Sequence, residues 1–286
     1  MGVKFLPKHL TRRKFLTTVG LAVAGSGLYV RVIEPYWLTI GRHTVRLGLK
    51  GDSPPLKILH LSDLHLSHVV SLGFISEAIR LGLSLQPDLI CLTGDFITRG
   101  YAALDGYAEV LKPLAASAPT FACLGNHDGG IWAARRRGHA DTNRVREVLS
   151  KAGATLLHNS ARTVRLGDRA FRLVGLGDVW AGEMQPMIAF ATSAPSADAT
   201  IVLSHNPNTK DYMKAYAWDL LLSGHTHGGQ VKLPFIGAPV SSVRDKRFLE
   251  GLHEWEGRWV HVTRGVGNLY GVRFNCPPEV SLITLV

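Results

Sequence analysis

The chain has 286 residues, 46% of them hydrophobic and 19% charged, which suits one large domain or two small ones and excludes a disordered polar chain. Its net charge of +10 raises nucleic acid as a partner, but the first 50 residues hold nine of the basic residues and one acid, Glu34, while the remaining 23 basic and 21 acidic residues nearly cancel. The basicity is therefore an N-terminal property, which favours targeting or a membrane surface, and no nucleic-acid partner is expected.

In chain order, the first element is "TRRKFLTTVGLAVAGSG", a basic start followed by an apolar stretch. Thr11 to Leu16 resembles the twin-arginine export signal, in which Arg12 and Arg13 precede the apolar pair Phe15-Leu16. The apolar region, about Phe15 to Val30, is short for a spanning helix, and Ala22-Val23-Ala24 offers a small-residue cleavage site. The segment implies export by the twin-arginine machinery to the periplasm, or a single anchor if it stays uncleaved. Residues 1–50 are accordingly assigned to signal and linker, and 51–286 to one catalytic domain.

From Leu56 the pattern becomes regular. "LKILHLSDLH" reads as a buried strand with a polar end, and "FISEAIRLGLSL" as a helix stopped near Pro87. "LICLTGD" and "PTFACLGNHD" are further strands, separated by the helical "YAALDGYAEVLKPLA". An Arg-rich loop, "GGIWAARRRGHADTN", leads to a helix ending near Ala152. "ATLLHN", "RTVRLG", "AFRLVGLGD", "TIVLSHNP" and "WDLLLSGHTHGG" are shorter strands, and β-like pieces continue to "EVSLITLV". Alternating strands and helices predict an α/β sheet, and the later run of strands predicts a second sheet packed on it. Cys91 and Cys123 lie in apolar runs and are expected as buried thiols. With Cys276 they form neither a C-x-x-C nor a disulfide framework.

Five strand-like runs end in ligand-type residues: Asp63-Leu64-His65, Gly94-Asp95, Gly125-Asn126-His127-Asp128, Ser204-His205-Asn206 and Gly224-His225-Thr226-His227. In open α/β sheets, sites form in the crevice beyond the strand carboxyl ends. Taken singly, each piece has an ordinary explanation: Asp caps helices, Asn sits in turns and His bonds carbonyls. Five in succession are hard to obtain that way. With strand spacing, His225 and His227 point to one side and address one point or two neighbouring points.

In this order the motifs resemble the calcineurin-like metallophosphoesterase family: D-x-H, G-D, G-N-H-[DE], H and G-H-x-H. The resemblance implies a four-layer α/β/β/α sandwich of two mixed sheets flanked by helices. It implies that Asp63, His65 and His227 bind one metal, that Asn126, His205 and His225 bind the other, and that Asp95 bridges them. It also implies that His127 is catalytic without binding metal. "EPYW", "GDVWAG", "DKRFLEGL" and "TRGVGNLYGVRFNCPPEV" extend it to the YaeI-type phosphodiesterases of bacteria. Related enzymes cleave the pyrophosphate of UDP-2,3-diacylglucosamine in lipid A synthesis.

Two divalent cations clamp a phosphate and acidify a water toward neutral pH. Mixed imidazole and oxygen donors suit manganese, iron, zinc, cobalt or nickel, and two manganese ions are the expected cofactor. The expected substrate is a phosphodiester or pyrophosphate, including amphipathic ones, at or near a membrane surface. The expected role of His127 is to assist the leaving oxygen. In "GDFITRG", Thr98 stands where the family's Ser/Thr phosphatases carry the Asp that orients the catalytic His, leaving Asp128 as a candidate orienter. Arg135, Arg136 and Arg137 form either a solvated loop face or a phosphate clamp. Trp132 and Trp180 either pack or meet substrate, and His68 is a candidate pocket residue. The competing class is a non-enzymatic metal-binding scaffold on the same fold. A metallo-β-lactamase-type hydrolase would need a contiguous H-x-H-x-D-H, which is absent.

Overall fold

The computed structural model describes residues 11–49, 54–191 and 197–286. Twelve strands among them form two six-stranded sheets. The first holds β1 (Thr39–Val45), β12 (Glu279–Leu285), β2 (Leu56–Leu61), β3 (Leu89–Thr93), β4 (Thr120–Cys123) and β5 (Thr155–Leu156), in that spatial order. The second runs β10 (Gly251–Trp255), β11 (Arg258–Val262), β9 (Leu220–Ser223), β8 (Ala199–Leu203), β7 (Arg169–Gly175) and β6 (Ser160–Leu166). Both sheets are mixed: β2 to β5 and β7 to β9 are parallel, with antiparallel neighbours such as β12 on β2 and β6 on β7.

The apolar runs are continuous because these strands are covered on both faces. Ile58, Leu89, Cys91 and Phe121 of the first sheet meet Phe171, Leu173, Ile201 and Leu222 of the second in the inter-sheet core. The alternate residues Leu59, Ile90, Leu92 and Ala122 face outward under helices α2 (Leu72–Leu83), α3 (Tyr107–Ser117) and α5 (Asn143–Lys151), which follow α1 (Arg12–Leu28) and flank α4 (Ile131–Ala134). Helix α2 starts where Ser71 Oγ accepts the N–H of Phe74 at 3.2 Å, and it buries Phe74, Ile75, Ala78 and Ile79 at helical spacing. The outer face of the second sheet, Val174, Val202, Leu221 and Val260, lies under a thinner layer of α6 (Pro186–Ala191), Trp218 and Phe248. The result is the four-layer α/β/β/α sandwich that the family resemblance implied, with the second sheet that the later run of strands predicted.

The 50/51 boundary falls on residues 50–53, outside those described. On its N-terminal side, β1 pairs in parallel with β12 along its whole length, and Glu34 is buried with Oε1 accepting the N–H of Cys276 at 2.5 Å. The packed unit therefore takes in chain that the sequence reading left to the linker. Strand β1 was missed because it is a half-exposed edge strand carrying Gly41, whose partner lies some 240 residues away. Helix α1 is exposed at every position whose side chain is described; the side chains of Ala22, Val23 and Ala24, the suggested cleavage site, lie outside the described set. Among the described residues, no helix is long and apolar enough to cross a membrane.

Candidate active site

The ligand-type residues converge where the carboxyl ends of the two sheets meet. Asp63 and His65 follow β2, Asp95 follows β3 and Asn126-His127 follow β4; His205 follows β8, and His225 and His227 follow β9. Asp63 ties the sheets together, its carboxylate accepting the backbone N–H of His225 at 3.0 Å. The turns leave no room for side chains. A Cβ on Gly224 would sit 2.1 Å from Asp63 Oδ2, and one on Gly125 would sit 2.3 Å from Asp95 Oδ1. Asp63, His65, Asp95, His225 and His227 all have positive φ, between 49° and 70°. For non-glycine residues this costs on the order of 1 kcal/mol each, and such strain clusters at functional sites.

Two donor groups result. Asp63, His65 and His227 form one, and Asp95, His205 and His225 the other, each with ligand atoms within 4.8 Å of one another. In the first, His65 Nε2 and His227 Nε2 face each other at 3.1 Å, and His227 Nε2 lies 3.3 Å from Asp63 Oδ1. In the second, His205 Nε2 is 3.2 Å from His225 Nδ1. Asp95 Oδ2 touches both, at 3.1 Å from His205 Nε2 and 3.4 Å from His65 Nε2. The outer nitrogens fix two of the rings: His65 Nδ1 meets Thr98 Oγ1 at 3.0 Å, and His205 Nδ1–H donates to the Thr93 carbonyl at 2.7 Å. His225 and His227 go to different groups. The chain has left β9 before either residue, so left-handed backbone rather than strand alternation sets their directions.

Residues 56–229 match the family described as calcineurin-like phosphoesterase. The chain belongs to the calcineurin-like phosphoesterase family. It is similar to phosphodiesterase YaeI of Escherichia coli, with 43% identity covering 97% of this chain and 100% of that one. It is similar to the UDP-2,3-diacylglucosamine pyrophosphatase LpxG of Chlamydia trachomatis, with 30% identity covering 94% of this chain and 95% of that one. The uncharacterized metallophosphoesterase YkuE of Bacillus subtilis is 30% identical over 97% of this chain and 98% of its own length. This phosphoesterase is thus a metal-dependent phosphoric ester hydrolase.

The donors of this phosphoesterase fit divalent metal. Burial drives the pKa of His65 and His227 down to about 3 and that of His225 well below its usual value, which keeps their lone pairs free. Burial also opposes charge on His205, but Asp95 and Asp63 outweigh it and hold that imidazole well above its usual range. Asn126 Oδ1, buried in the same wall, has no protein partner. Two buried carboxylates, the three neutral imidazoles of His65, His225 and His227, and an orphaned amide oxygen are donor chemistry for divalent metal, with His205 a fourth imidazole that would give up its Nε2 proton on ligation.

His127 behaves differently. Its backbone N–H donates to Asp95 Oδ1 at 2.8 Å, while its ring packs edge-on against His65 and Trp132 with centroids 5.1 and 5.0 Å away. Its Nδ1 is buried without a partner, and burial lowers its pKa. Asp128, the candidate orienter, makes no contact with this ring among its hydrogen bonds. Its carboxylate accepts the N–H groups of Gly125, Asp95 and Phe96 at 2.8, 3.0 and 2.7 Å, stapling the two loops together. Thr98 serves His65 instead, so His127 is positioned by packing alone.

Two adjoining clefts share His127, Trp180 and Tyr270. One, of about 500 Å³, is lined by Arg99, Arg135, Arg136, Arg137, Trp132 and Trp180 among others. The other, about 420 Å³, reaches Asp95, Asn126, His225 and His227 and is walled by Pro239, Val240 and Tyr270. The three arginines of the polar loop therefore line the first of these clefts, beside His127. Trp180 stands edge-on to His225 with centroids 4.2 Å apart, set there by a turn in which Asp178 Oδ1 accepts the N–H groups of Trp180 and Ala181. His68 meets Tyr101 edge-on and lines neither cleft.

Sequence reasoning also missed Arg273. It is fully buried, and its guanidinium donates to the carbonyls of Arg264, Gly265, Gly267 and Cys276. This pins the loop whose Gly267 N–H donates to the Asp63 carbonyl at 2.7 Å. No spacing rule points to a buried arginine far from any ligand motif. Away from the centre, His60 and His261 are joined by a hydrogen bond between Nδ1 atoms 3.0 Å apart, beside His43. Glu279 in that cluster is taken by Arg264 at 2.8 Å, so it reads as a hydrogen-bonded core.

Proposed function

We propose that this chain is a two-metal phosphodiesterase that cleaves a phosphodiester or pyrophosphate bond of an amphipathic substrate, reaching its site by the twin-arginine route. The observation that carries the two-metal reading is the position of Asp95 Oδ2 against both donor groups. Asp63, His65 and His227 would hold one ion, Asn126, His205 and His225 the other, and Asp95 both. This mixture of nitrogen and oxygen accepts manganese, iron, zinc, cobalt or nickel, and manganese is the ion we take as the occupant to test. When bound, the pair neutralises phosphoryl oxygens and makes hydroxide available near neutral pH.

The chain's own groups do the rest. His127 stands at the wall facing both clefts, where its ring can donate to the leaving oxygen. Arg99 and Arg135 to Arg137 supply positive charge to phosphoryl oxygens beyond the reacting one. Trp132, Trp180 and Tyr270 wall the cleft with rings that exclude water and suit an apolar or planar group. With no carboxylate behind it and burial lowering its pKa, His127 is a modest proton donor. Good leaving groups such as a nucleotide phosphate need it least, which favours diesters and pyrophosphates over alkyl monoesters. The lipid-linked pyrophosphate is supported by the similarity to LpxG, a UDP-2,3-diacylglucosamine pyrophosphatase.

Purified protein loaded with Mn²⁺ is expected to carry two ions per chain and to hydrolyse bis(p-nitrophenyl) phosphate faster than p-nitrophenyl phosphate. In detergent micelles it is expected to prefer UDP-diacylglucosamine to a UDP-sugar. No turnover of any diester would return the chain to a scaffold role. Faster monoester cleavage would remove the diester preference, and indifference to the acyl chains would remove the lipid part alone. Export is tested separately, since Arg12 and Arg13 lie in exposed helix far from every ligand motif. Arg12→Lys with Arg13→Lys is expected to hold the protein in the cytoplasm with its lysate activity intact. Unchanged fractionation would reject the twin-arginine route.

A further inference from the structure

The wall of the metal cleft continues into a short hairpin with an unusual tip. Leu233 and Gly237 exchange backbone hydrogen bonds at 2.8 and 2.9 Å, and the Ile236 N–H reaches the Leu233 carbonyl at 3.3 Å. Pro234 and Phe235 are the two central residues of that turn. Phe235 has φ of 65°, at the position of a Pro-led turn that ordinarily takes Gly or Asn because the backbone is left-handed there. A phenylalanine in that conformation is strained, and local packing does not repay the strain: Phe235 is fully exposed and Ile236 is 72% exposed. Strain of this kind persists where function uses it.

The surroundings indicate what the tip meets. Val231 and Val240, on the arms of the hairpin, line the cleft above the metal donors, and Val240 is itself 76% exposed. The base of the hairpin is sewn to the 270–274 segment, with the Lys232 N–H donating to the Phe274 carbonyl at 2.8 Å and the Phe274 N–H to the Gln230 carbonyl at 3.0 Å. The end of the N-terminal helical segment is sewn to the same stretch: the Arg273 N–H donates to the Val30 carbonyl at 3.0 Å, and Arg31 Nη1 donates to the Tyr270 carbonyl at 3.1 Å. The hairpin, the exposed Tyr270 and the exit of that helix, with Leu28, Val32 and Ile33 exposed, therefore form one apolar rim beside the cleft.

Charge favours one occupant. From Thr11 to Ile33 the chain carries Arg12, Arg13, Lys14 and Arg31 and no acid, and the outer cleft is lined by four arginines and no acid. Single protruding apolar side chains on a tight turn, bordered by basic groups, suit insertion among lipid headgroups. A second copy of the chain would instead need a self-complementary face.

We infer that the 233–240 hairpin is a membrane-docking lip that seats the cleft on the anionic leaflet of a phospholipid bilayer. This holds whichever phosphoester is cleaved, although it explains how an acylated substrate reaches the metals without leaving the membrane.

The test uses the full metal-loaded chain with vesicles of phosphatidylglycerol and phosphatidylethanolamine, and phosphatidylcholine vesicles for comparison. Cys91, Cys123 and Cys276 are buried, so Phe235→Cys takes an environment-sensitive fluorophore at one site. Its emission is expected to shift to the blue with anionic vesicles and much less with phosphatidylcholine. The double variant Phe235→Asp with Ile236→Asp is expected to lose about tenfold or more in vesicle partition, while hydrolysing soluble bis(p-nitrophenyl) phosphate at the parent rate. An unshifted fluorophore, or partition unchanged by the two aspartates, would overturn the docking lip. So would a parent dimer that the double variant dissociates, since a second copy then covers the rim. Failure of the lipid-linked substrate would appear in the micelle comparison and leave these readouts untouched.

Discussion

Asp95→Asn is expected to empty the centre of both ions and to abolish hydrolysis more completely than any single histidine change. Asp95 Oδ2 lies 3.1 Å from His205 Nε2 and 3.4 Å from His65 Nε2, so one carboxylate oxygen faces side-chain donors of both groups. Its Oδ1 also accepts the N–H of His127 at 2.8 Å. The amide keeps an oxygen for that bond but has no negative charge to offset two dications, and its NH₂ brings donors where lone pairs are needed. The loss should exceed the ~10–100-fold typical of removing an outer partner of a ligand, as Thr98→Val would do behind His65. Metal analysis by mass spectrometry beside kcat/KM decides it, and two ions retained at full activity would end the bridging role.

The second large effect is expected from His127→Ala, which should keep both ions and lose about 100-fold or more in kcat. The ring touches His65 and Trp132 only by edge-on packing, and its contact with Asp95 runs through backbone that alanine preserves. Metal content and thermal stability measured together separate the possibilities. A parallel fall in metal would make His127 a ligand. The deficit should also grow as the leaving group worsens, from nitrophenol toward an alkyl alcohol, because a proton donor matters most there. An equal deficit across leaving groups would reduce His127 to a packing role.

The kinds and order of the donors were legible along the chain because their causes are local. A strand buried on both faces must be a run such as "LICLT", and a chain leaving its end must turn, which puts Gly beside Asp in Gly94-Asp95 and beside His in Gly224-His225. The two sheets followed from the same periodicity. What those local rules could not contain is which donors share a centre. Asp63 and His227 are 164 positions apart and meet only because the carboxyl ends of β2 and β9 face each other across the inter-sheet core. His225 and His227 part company because left-handed backbone, not strand alternation, directs them.

Thr98 illustrates the limit most sharply. The sequence identified a missing carboxylate there, but only the fold shows the hydroxyl turned to His65, with Asp128 occupied by backbone amides. Likewise, β1 and Arg273 take their places through partners distant along the chain or through buried carbonyls, and no pattern in a short window encodes either. The residue types and their order along the chain determine the chemistry of this protein. The packing of one sheet on the other decides which of those residues stand within reach of one another, because that packing alone brings the strand ends together.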